Sequence, residues 1–218
     1  MFTTELILNG RLGVVTQDLH DIQRMHQRLM QPFDNVLSLG EGRQAYQLLW
    51  RRDPDRDDPH YPRLLVQAAA EPRWGKLPSG YLAQRPRVRN ATIVRNVLRP
   101  GKPFRFTLIA NPRHHVRVPG GTRHRAVRDR DDCRTWLQHH GETGGFRLPD
   151  PECLAITPQR PVTGTRHKNG DSMTVTLMPV RYDGHLIVTE PNLFWTTLTV
   201  GVGPGKAYGC GLMVITKP

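Results

Sequence analysis

Residues 104–110 read FRFTLIA, and their Phe, Phe, Leu and Ala residues recur at every second position. This period of two predicts a β-strand that buries one face. After a basic segment, DDCRTWLQHHGE at 131–142 predicts a helix that is capped by Asp131 or Asp132 and ends at Gly141. A strand followed by a helix is how a split βαβ, or ferredoxin-like, unit begins.

The rest of the second half completes such a unit. Segments 173–180 and 185–189 predict two strands, and the Tyr-Asp-Gly at 182–184 predicts a hairpin turn, because Asp-Gly accepts positive φ angles. A helix is predicted over 191–200, where a strand is the alternative because the segment is rich in threonine. A last strand is predicted at 212–215.

The first half has the same order. A strand at 2–8 precedes a helix at 17–33, whose apolar residues share one face and whose N-cap is Asp18 or Thr16. Two strands follow, at 45–51 and 63–69, and an acidic loop at 53–62 lies between them. A short helix is predicted within 74–84. We therefore predict an α+β chain of two tandem ferredoxin-like (RRM-like, βαββαβ) domains, residues 1–90 and 91–218.

The positive charge of the chain is concentrated in its middle. The formal net charge is +12, of which residues 1–84 contribute zero, residues 85–134 contribute +11 and residues 135–218 contribute +1. Arginine supplies 26 of the 31 basic residues, and its planar guanidinium matches phosphate oxygens, although high genomic G+C content also favours arginine. This distribution indicates a nucleic-acid partner, and a merely solvated basic surface is the alternative.

Several function classes are disfavoured. No run of 18 apolar residues and no signal peptide is present, and the three cysteines form no C-x-x-C pair, so we predict a soluble, cytoplasmic protein with reduced thiols and no membrane partner. The ten histidines form no H-E-x-x-H motif, and the dense acidic loop at 53–58 is typical of a solvated turn. We predict no metal and no cofactor.

The glycine-rich stretch GVGPGKAYGCG at 201–211 is not a nucleotide-binding P-loop. Val200 stands where the first glycine of that motif belongs, Ala207 replaces its hydroxyl residue, and only twelve residues follow Lys206. We therefore predict no nucleotide cofactor. The stretch is either a tight connection to the last strand or a loop that lies against a polyanion.

The first helix carries the candidate catalytic residue, His26. At 100° per residue His26 falls within the apolar stripe, which is typical of a core histidine. Its neighbours Gln23, Arg24 and Arg28 favour a second interpretation, in which they form an auxiliary part of an active site. A partly desolvated imidazole beside phosphate-binding side chains is suited to proton transfer near neutral pH.

The chain resembles the CasE family, the CRISPR repeat endoribonucleases of subtype I-E Cascade. The closing G-x-G-P-x-K-x-x-G-C-G-L at 201–212 carries the resemblance, together with FRFTLIANP at 104–112, the D-x-x-x-W-L helix at 132–137 after an arginine-rich run, and the early D-L-x-x-x-x-x-x-H-Q at 18–27. It spans most of the chain and is weakest over residues 35–100.

This resemblance implies two ferredoxin-like domains and metal-independent cleavage of a CRISPR repeat hairpin, whose product is then retained. The ribose 2′-hydroxyl attacks the adjacent phosphorus, which leaves a 2′,3′-cyclic phosphate and a 5′-hydroxyl. The catalytic histidine of the family matches His26. The family often has a tyrosine three residues earlier, where this chain has Gln23, which cannot ionise usefully. The implied partners are the repeat RNA hairpin and other Cascade subunits, among them the backbone subunit.

The residues predicted to bind RNA lie mostly in the basic middle and near the end of the chain. Recognition of a duplex stem depends on phosphate and shape contacts. The predicted set is Arg113, Arg117, Arg123, Arg125, Arg128, Arg160, Arg166, Lys168, Lys206, Gly203 and Gly205. Two further interpretations stay open: a noncatalytic module that binds structured RNA, and a DNA-binding or ribosomal-type protein.

Overall fold

The computed structural model describes residues 1–33, 42–53, 58–119, 121–168 and 171–218. The chain divides into two compact units that are not contiguous in sequence. Unit 1 contains residues 1–94, 162–176 and 206–209, and unit 2 contains residues 95–161, 177–205 and 210–218. The domain boundary between residues 90 and 91 stays a prediction. Across the described ranges, no helix has the length and apolar character needed to cross a bilayer.

Unit 1 has a four-stranded antiparallel sheet. Its strands are β1 (Phe2–Ile7), β2 (Leu49–Arg52), β3 (Arg63–Ala68) and β4 (Arg87–Asn90). They pair in the order β2-β3-β1-β4, which is the order of a ferredoxin-like sheet. Strand β4 was not predicted, because its sequence RVRN has only one apolar residue and it occupies the sheet edge.

The helix predicted over 17–33 is in fact two helices. These are α1 (Gly13–His20) and α2 (Ile22–Met30). Asp21 between them is extended, at φ −131° and ψ 107°, and its Oδ1 atom accepts hydrogen bonds from the backbone N–H groups of Gln23 and Arg24. An aspartate that caps a helix in this way competes with continued helix at its own position, which explains the break. A third helix, α3 (Gly42–Tyr46), precedes β2, where a strand from residue 45 was predicted.

The core of unit 1 lies between one face of the sheet and the helices. Leu6, Leu64 and Val66 of the sheet are buried in one cluster with Met25 and Leu29 of α2. This packing orients α2 so that the residues on its other side are available for function. A 3-10 helix at Trp74–Lys76 takes the place of the helix predicted within 74–84.

Unit 2 repeats the arrangement. Its sheet has the order β13-β5-β12-β8, with β9 also paired to β12, and all of these pairs are antiparallel. The strands are β5 (Pro103–Ala110), β8 (Phe146–Arg147), β9 (Ala155–Pro158), β12 (Val180–Val188) and β13 (Met213–Thr216). The helices are α4 (Arg130–Gly144) and α5 (Pro191–Val200). The predicted α+β fold and the predicted helix at 191–200 are therefore confirmed.

Three details of unit 2 differ from the prediction. The helix α4 continues to Gly144 instead of ending at Gly141. The N-cap of α4 is Asp129, whose Oδ1 atom accepts from the N–H groups of Asp131 and Asp132. The Tyr-Asp-Gly at 182–184 forms no turn, since β12 runs straight through it and pairs with β5 along 180–187. Pairing along a whole strand outweighs the turn preference of two residues, because strand formation depends on its packing context.

Two hairpins complete the described chain. The predicted basic loop forms β6 (Arg113–Val118) and β7 (Gly121–Ala126) in unit 2. The other hairpin consists of β10 (Val162–Lys168) and β11 (Asp171–Leu177), so the strand predicted at 173–180 begins and ends earlier. Except for Leu177, this second hairpin belongs to unit 1, although most of the chain around it belongs to unit 2.

Candidate active site

His26 lies on α2 at the edge of the buried stripe. Ile22, Met25 and Leu29 of this helix are buried, whereas His26 is half-buried. Its Nδ1 atom is buried. The residue is therefore not sealed in the core, and an imidazole in such a position can exchange a proton near neutral pH.

Tyr208 contacts the same side of α2. It belongs to a 3-10 helix, Lys206–Tyr208, that packs on α2. The Tyr208 hydroxyl donates a hydrogen bond of 2.9 Å to Oε1 of Gln23. The rings of His26 and Tyr208 meet edge to face, with centroids 6.1 Å apart and an interplanar angle of 78°. His26, Gln23 and Tyr208 therefore form one cluster.

The backbone next to Tyr208 is anchored to the sheet of unit 1. The indole Nε1 of Trp50, on β2, donates a hydrogen bond of 2.9 Å to the carbonyl oxygen of Ala207. On the other side of Tyr208, a Cβ added at Gly209 would lie 3.2 Å from the Trp50 ring. The Trp50 side chain is buried, so the segment that carries Tyr208 has a rigid support.

Strand β10 is attached to the beginning of α2. Oδ2 of Asp21 accepts a hydrogen bond of 3.1 Å from the backbone N–H of Thr165. Gly164 permits this approach, since a Cβ there would lie 2.7 Å from the backbone N of Gln23. Arg166 follows two residues later and is exposed. The predicted RNA-binding residues Arg166 and Lys206 thus belong to the same unit as His26.

Arg24 and Arg28 do not join this cluster. Each is two residues from His26, so each points about 160° away around the helix. Arg28 Nε lies 2.7 Å and Arg24 Nε 3.3 Å from the carboxylate of Asp18, which is buried at 1% exposure. Tyr81 donates a third hydrogen bond to that carboxylate, and burial raises the pKa of the Tyr81 hydroxyl. These contacts favour a structural role, and an auxiliary role in catalysis stays a prediction.

The arginines predicted in the basic middle of the chain lie in unit 2. The register of the β6–β7 hairpin places Arg113 and Arg117 on one face and Arg125 on the other. Arg128 follows the hairpin, and its Nη2 donates to the carbonyl oxygen of Gln159 at 3.4 Å. Arg117, Arg125 and Arg128 are exposed, as is Arg160.

The side chains of Arg123 and Lys168 lie outside the described part of the structure. RNA binding by the whole set of basic residues stays a prediction.

The glycine-rich stretch has a structural explanation at two positions. Gly203 and Gly205 have φ angles of 70° and 84°, which side chains with a Cβ rarely adopt. A Cβ at Gly203 would lie 2.6 Å from the Trp136 ring, and one at Gly205 would lie 3.0 Å from Leu177. These contacts account for both glycines in the fold, and their role in RNA binding stays a prediction.

Tyr208 is the site residue that the sequence interpretation missed. It stands inside the glycine motif, two residues after Lys206, and it lies 185 residues from Gln23. No local pattern connects residues so far apart in sequence. The one available signal was the presence of a phenol within a motif already suspected of contacting phosphate.

The cluster has the chemistry of proton transfer and hydrogen bonding. An imidazole exchanges protons near neutral pH, a phenol donates a hydrogen bond, and Lys206 and Arg166 supply positive charge within the same unit. Among the residues that the structure describes, no three or more His, Cys, Asp or Glu side chains are grouped as a metal site would require.

Comparison with known proteins covers nearly the whole chain. The model of a family described as CRISPR associated protein matches residues 1–217. The chain is 33% identical over 221 residues to the CRISPR-associated endoribonuclease Cse3 of Thermus thermophilus, and the match covers 99% of each protein.

Two solved structures are also similar. A structure of the CRISPR endoribonuclease Cse3 bound to a 19-nucleotide RNA has a TM-score of 0.81 and 32% identity, covering 99% of this chain and 100% of that one. A structure of Thermus thermophilus Cse3 bound to an RNA that represents a pre-cleavage complex has a TM-score of 0.79 and 30% identity, covering 99% and 98%. These matches span nearly the whole chain and therefore include both units.

Proposed function

Because this chain belongs to the family of CRISPR-associated proteins, as its resemblance to CasE predicted, we propose that it is an endoribonuclease that processes CRISPR repeat transcripts. A relative that is 33% identical over 99% of its length is a CRISPR-associated endoribonuclease. The observation in this chain that carries the proposal is the half-buried His26, which lies in one cluster with Gln23 and Tyr208. The substrate is the hairpin of the repeat.

The reaction is an internal transesterification. The ribose 2′-oxygen forms a bond to the adjacent phosphorus and the bond from phosphorus to the 5′-oxygen breaks, so the products are a 2′,3′-cyclic phosphate and a 5′-hydroxyl. One proton leaves the 2′-hydroxyl and one reaches the 5′-oxygen. Nε2 of His26 mediates one of these transfers, which general acid–base catalysis by histidine accelerates by about 10²–10⁴-fold.

Cleavage is expected to need no metal ion. The reaction requires proton transfer and charge stabilisation, and the chain supplies both with His26 and its basic residues. We expect the purified protein to cut its repeat RNA in excess EDTA at the rate measured with Mg²⁺, and mass spectrometry of the fragments to show cyclic-phosphate ends.

Three other results would each contradict this proposal. Cleavage that stops in EDTA and returns with Mg²⁺ would reject the metal-independent mechanism. A shifted but intact RNA under both conditions would identify a noncatalytic RNA-binding module. Equal affinity for duplex DNA at matched salt would favour a general nucleic-acid-binding protein.

The product is expected to stay bound. Exposed basic residues are present in both units, and each phosphate that they neutralise strengthens RNA binding, so we expect release to be slow relative to chemistry. We also propose that the chain is a subunit of Cascade that lies beside the backbone subunit and acts in the cytoplasm.

A further inference from the structure

Tyr208 has a position that the proposed cleavage reaction can use. We propose that Tyr208 is a catalytic residue whose hydroxyl donates a hydrogen bond to a non-bridging oxygen of the scissile phosphate. This inference rests on the proposed ribonuclease function and names a second group in the same site. His26 moves a proton, and Tyr208 stabilises the negative charge that develops on the phosphate.

The Tyr208 hydroxyl and the His26 imidazole lie on the same side of α2. The Tyr208 hydroxyl is 2.9 Å from Oε1 of Gln23, which lies one turn before His26 on α2. The Tyr208 and His26 rings are in edge-to-face contact at 6.1 Å. A phosphate within reach of the imidazole is therefore also within reach of the phenol.

The acceptor that the Tyr208 hydroxyl has in this structure is weaker than a phosphate. Oε1 of Gln23 is a neutral acceptor, whereas a phosphate oxygen is charged, and charge-assisted hydrogen bonds are roughly twice as strong as neutral ones. The phenol exchanges the amide for the phosphate when RNA binds. Gln23 thus holds the hydroxyl in place before the substrate arrives.

A comparison with the other bonded tyrosines separates this role from a structural one. Tyr81 and Tyr182 are fully buried, and their hydroxyls donate to Asp18 and to the carbonyl oxygen of Cys133. Tyr208 and its partner Gln23 are both only half-buried. Tyr208 therefore differs from the two tyrosines whose hydroxyls are bonded within the core.

The test is Tyr208→Phe, which keeps the ring against His26 and removes only the hydroxyl. We expect the single-turnover cleavage rate to fall by about 10²-fold, the typical effect of losing one donor to a developing oxyanion, with RNA affinity within about twofold of wild type. Tyr61→Phe is the matched control, because Tyr61 is an exposed tyrosine of the same unit at 40% exposure, and it should cleave at the wild-type rate.

A phosphorothioate substrate gives a measurement that a merely structural role would not change. Sulfur in place of the oxygen that Tyr208 contacts should slow the wild-type enzyme but slow Tyr208→Phe much less, because the hydrogen bond is already absent. Equal slowing of both enzymes by each diastereomer would overturn the proposal, as would a wild-type rate for Tyr208→Phe. If the wild-type protein and His26→Ala both leave the RNA intact, it is the ribonuclease function that fails instead.

A different observation concerns the face of the unit 1 sheet that points away from the core. The register pairs Arg87 with Glu5 and Arg89 with Thr3 across β4 and β1, opposite to the buried side of the sheet. A cavity of about 440 Å³ opens on this face, and Arg51, Arg63, Arg85, Arg87 and Arg89 line it together with Glu5 and Asp53. We call this surface the arginine face.

Among the described residues that line the arginine face, five are arginines and two are acidic. Arg63 pairs with Glu5 at 2.8 Å. Arg85, Arg87 and Arg89 are exposed, and within the described ranges none of the three forms an ion pair. Arg87 and Arg89 occupy alternate positions of the edge strand β4, and like charges so placed repel each other unless an anion lies between them.

We infer that the arginine face binds the phosphate backbone of single-stranded RNA that flanks the hairpin, an inference that also rests on the proposed function. Guanidinium groups match phosphate oxygens in pairs. None of the described residues that line the cavity is aromatic, so the face lacks both the stacking platforms that read bases and the aromatic anchors of protein interfaces. The contact is therefore electrostatic and independent of sequence.

The test compares two RNAs at several salt concentrations. We expect Arg85→Ala/Arg87→Ala/Arg89→Ala to weaken binding of a hairpin with single-stranded flanks and to reduce the slope of log affinity against log salt by about 2, at roughly 0.7 per lost single-strand contact. Binding of the bare hairpin should not change. Lys102→Ala/Arg147→Ala/Lys217→Ala, which removes three exposed cations of unit 2, is the control for net charge.

Two outcomes would overturn this inference. Equal weakening for both RNAs would assign the three arginines to the hairpin or to the overall charge. Unchanged binding of both RNAs, with loss of assembly into a larger complex, would assign the face to an acidic protein partner.

Discussion

His26→Ala is expected to lower the single-turnover rate of repeat cleavage by about 10³-fold or more and to leave RNA affinity within about twofold of wild type. General acid–base catalysis by histidine typically contributes about 10²–10⁴-fold, and the half-buried position of His26 allows truncation without opening the core. Rate and affinity are measured separately, by rapid-quench cleavage and by filter binding of an uncleavable 2′-deoxy substrate.

His20→Ala is the matched control for this experiment. His20 ends α1, is exposed, and its Nδ1 atom is hydrogen-bonded to the carbonyl oxygen of Thr16 at 2.7 Å. It should cleave at the wild-type rate. A near wild-type rate for His26→Ala would reject the assignment of His26.

The direction of proton transfer follows from a modified substrate. A sulfur leaving group at the 5′ position departs without protonation, so it restores the rate of His26→Ala if the imidazole is the general acid. No restoration would identify the imidazole as the general base.

Asp18→Ala is expected to have the largest effect on stability. Asp18 is 1% exposed and accepts hydrogen bonds from Arg28, Arg24 and Tyr81 at 2.7, 3.3 and 3.0 Å. Without the Asp18 carboxylate, the Arg28 guanidinium, at 16% exposure, and the buried Tyr81 hydroxyl each lose the acceptor of a hydrogen bond. Breaking a buried ion pair on one side costs about 3–5 kcal/mol, which is a large part of the free energy of unfolding of an ordinary domain.

Urea unfolding monitored by circular dichroism measures this loss. The control is Asp131→Ala, because Asp131 pairs with Arg134 at 2.9 Å but is 81% exposed, and exposed ion pairs contribute little. An unfolding midpoint of Asp18→Ala equal to that of wild type would show that the buried carboxylate is not a structural centre. If Asp18→Ala lost cleavage activity but kept its stability, the result would support the auxiliary catalytic role predicted for Arg24 and Arg28.

The sequence predicted much of the fold because strands and helices leave periodic patterns. FRFTLIA became β5, and the two-fold repetition of strand, helix and paired strands became two ferredoxin-like sheets. The failures occurred where a local preference met a stronger distant one. Pairing of β12 with β5 outweighs the turn preference at 182–184. The helix predicted over 17–33 is divided at Asp21, because the Asp21 side chain caps α2.

The candidate site was predicted only in part. His26 followed from the resemblance to a known family and from its place on a patterned helix. Arg24 and Arg28 were close to it in sequence, yet the structure turns them to Asp18, because residues two apart on a helix face in nearly opposite directions.

The sequence by itself determined the α+β class, the concentration of positive charge between residues 85 and 134, and the presence of a helix that carries His26. These properties are local or additive, so they can be counted along a chain. Only the tertiary structure decided that Tyr208 and Thr165 return to α2, across 185 and 144 residues from their partners Gln23 and Asp21. Such contacts depend on which surfaces pack together in the folded chain, and neither charge nor periodicity encodes that choice.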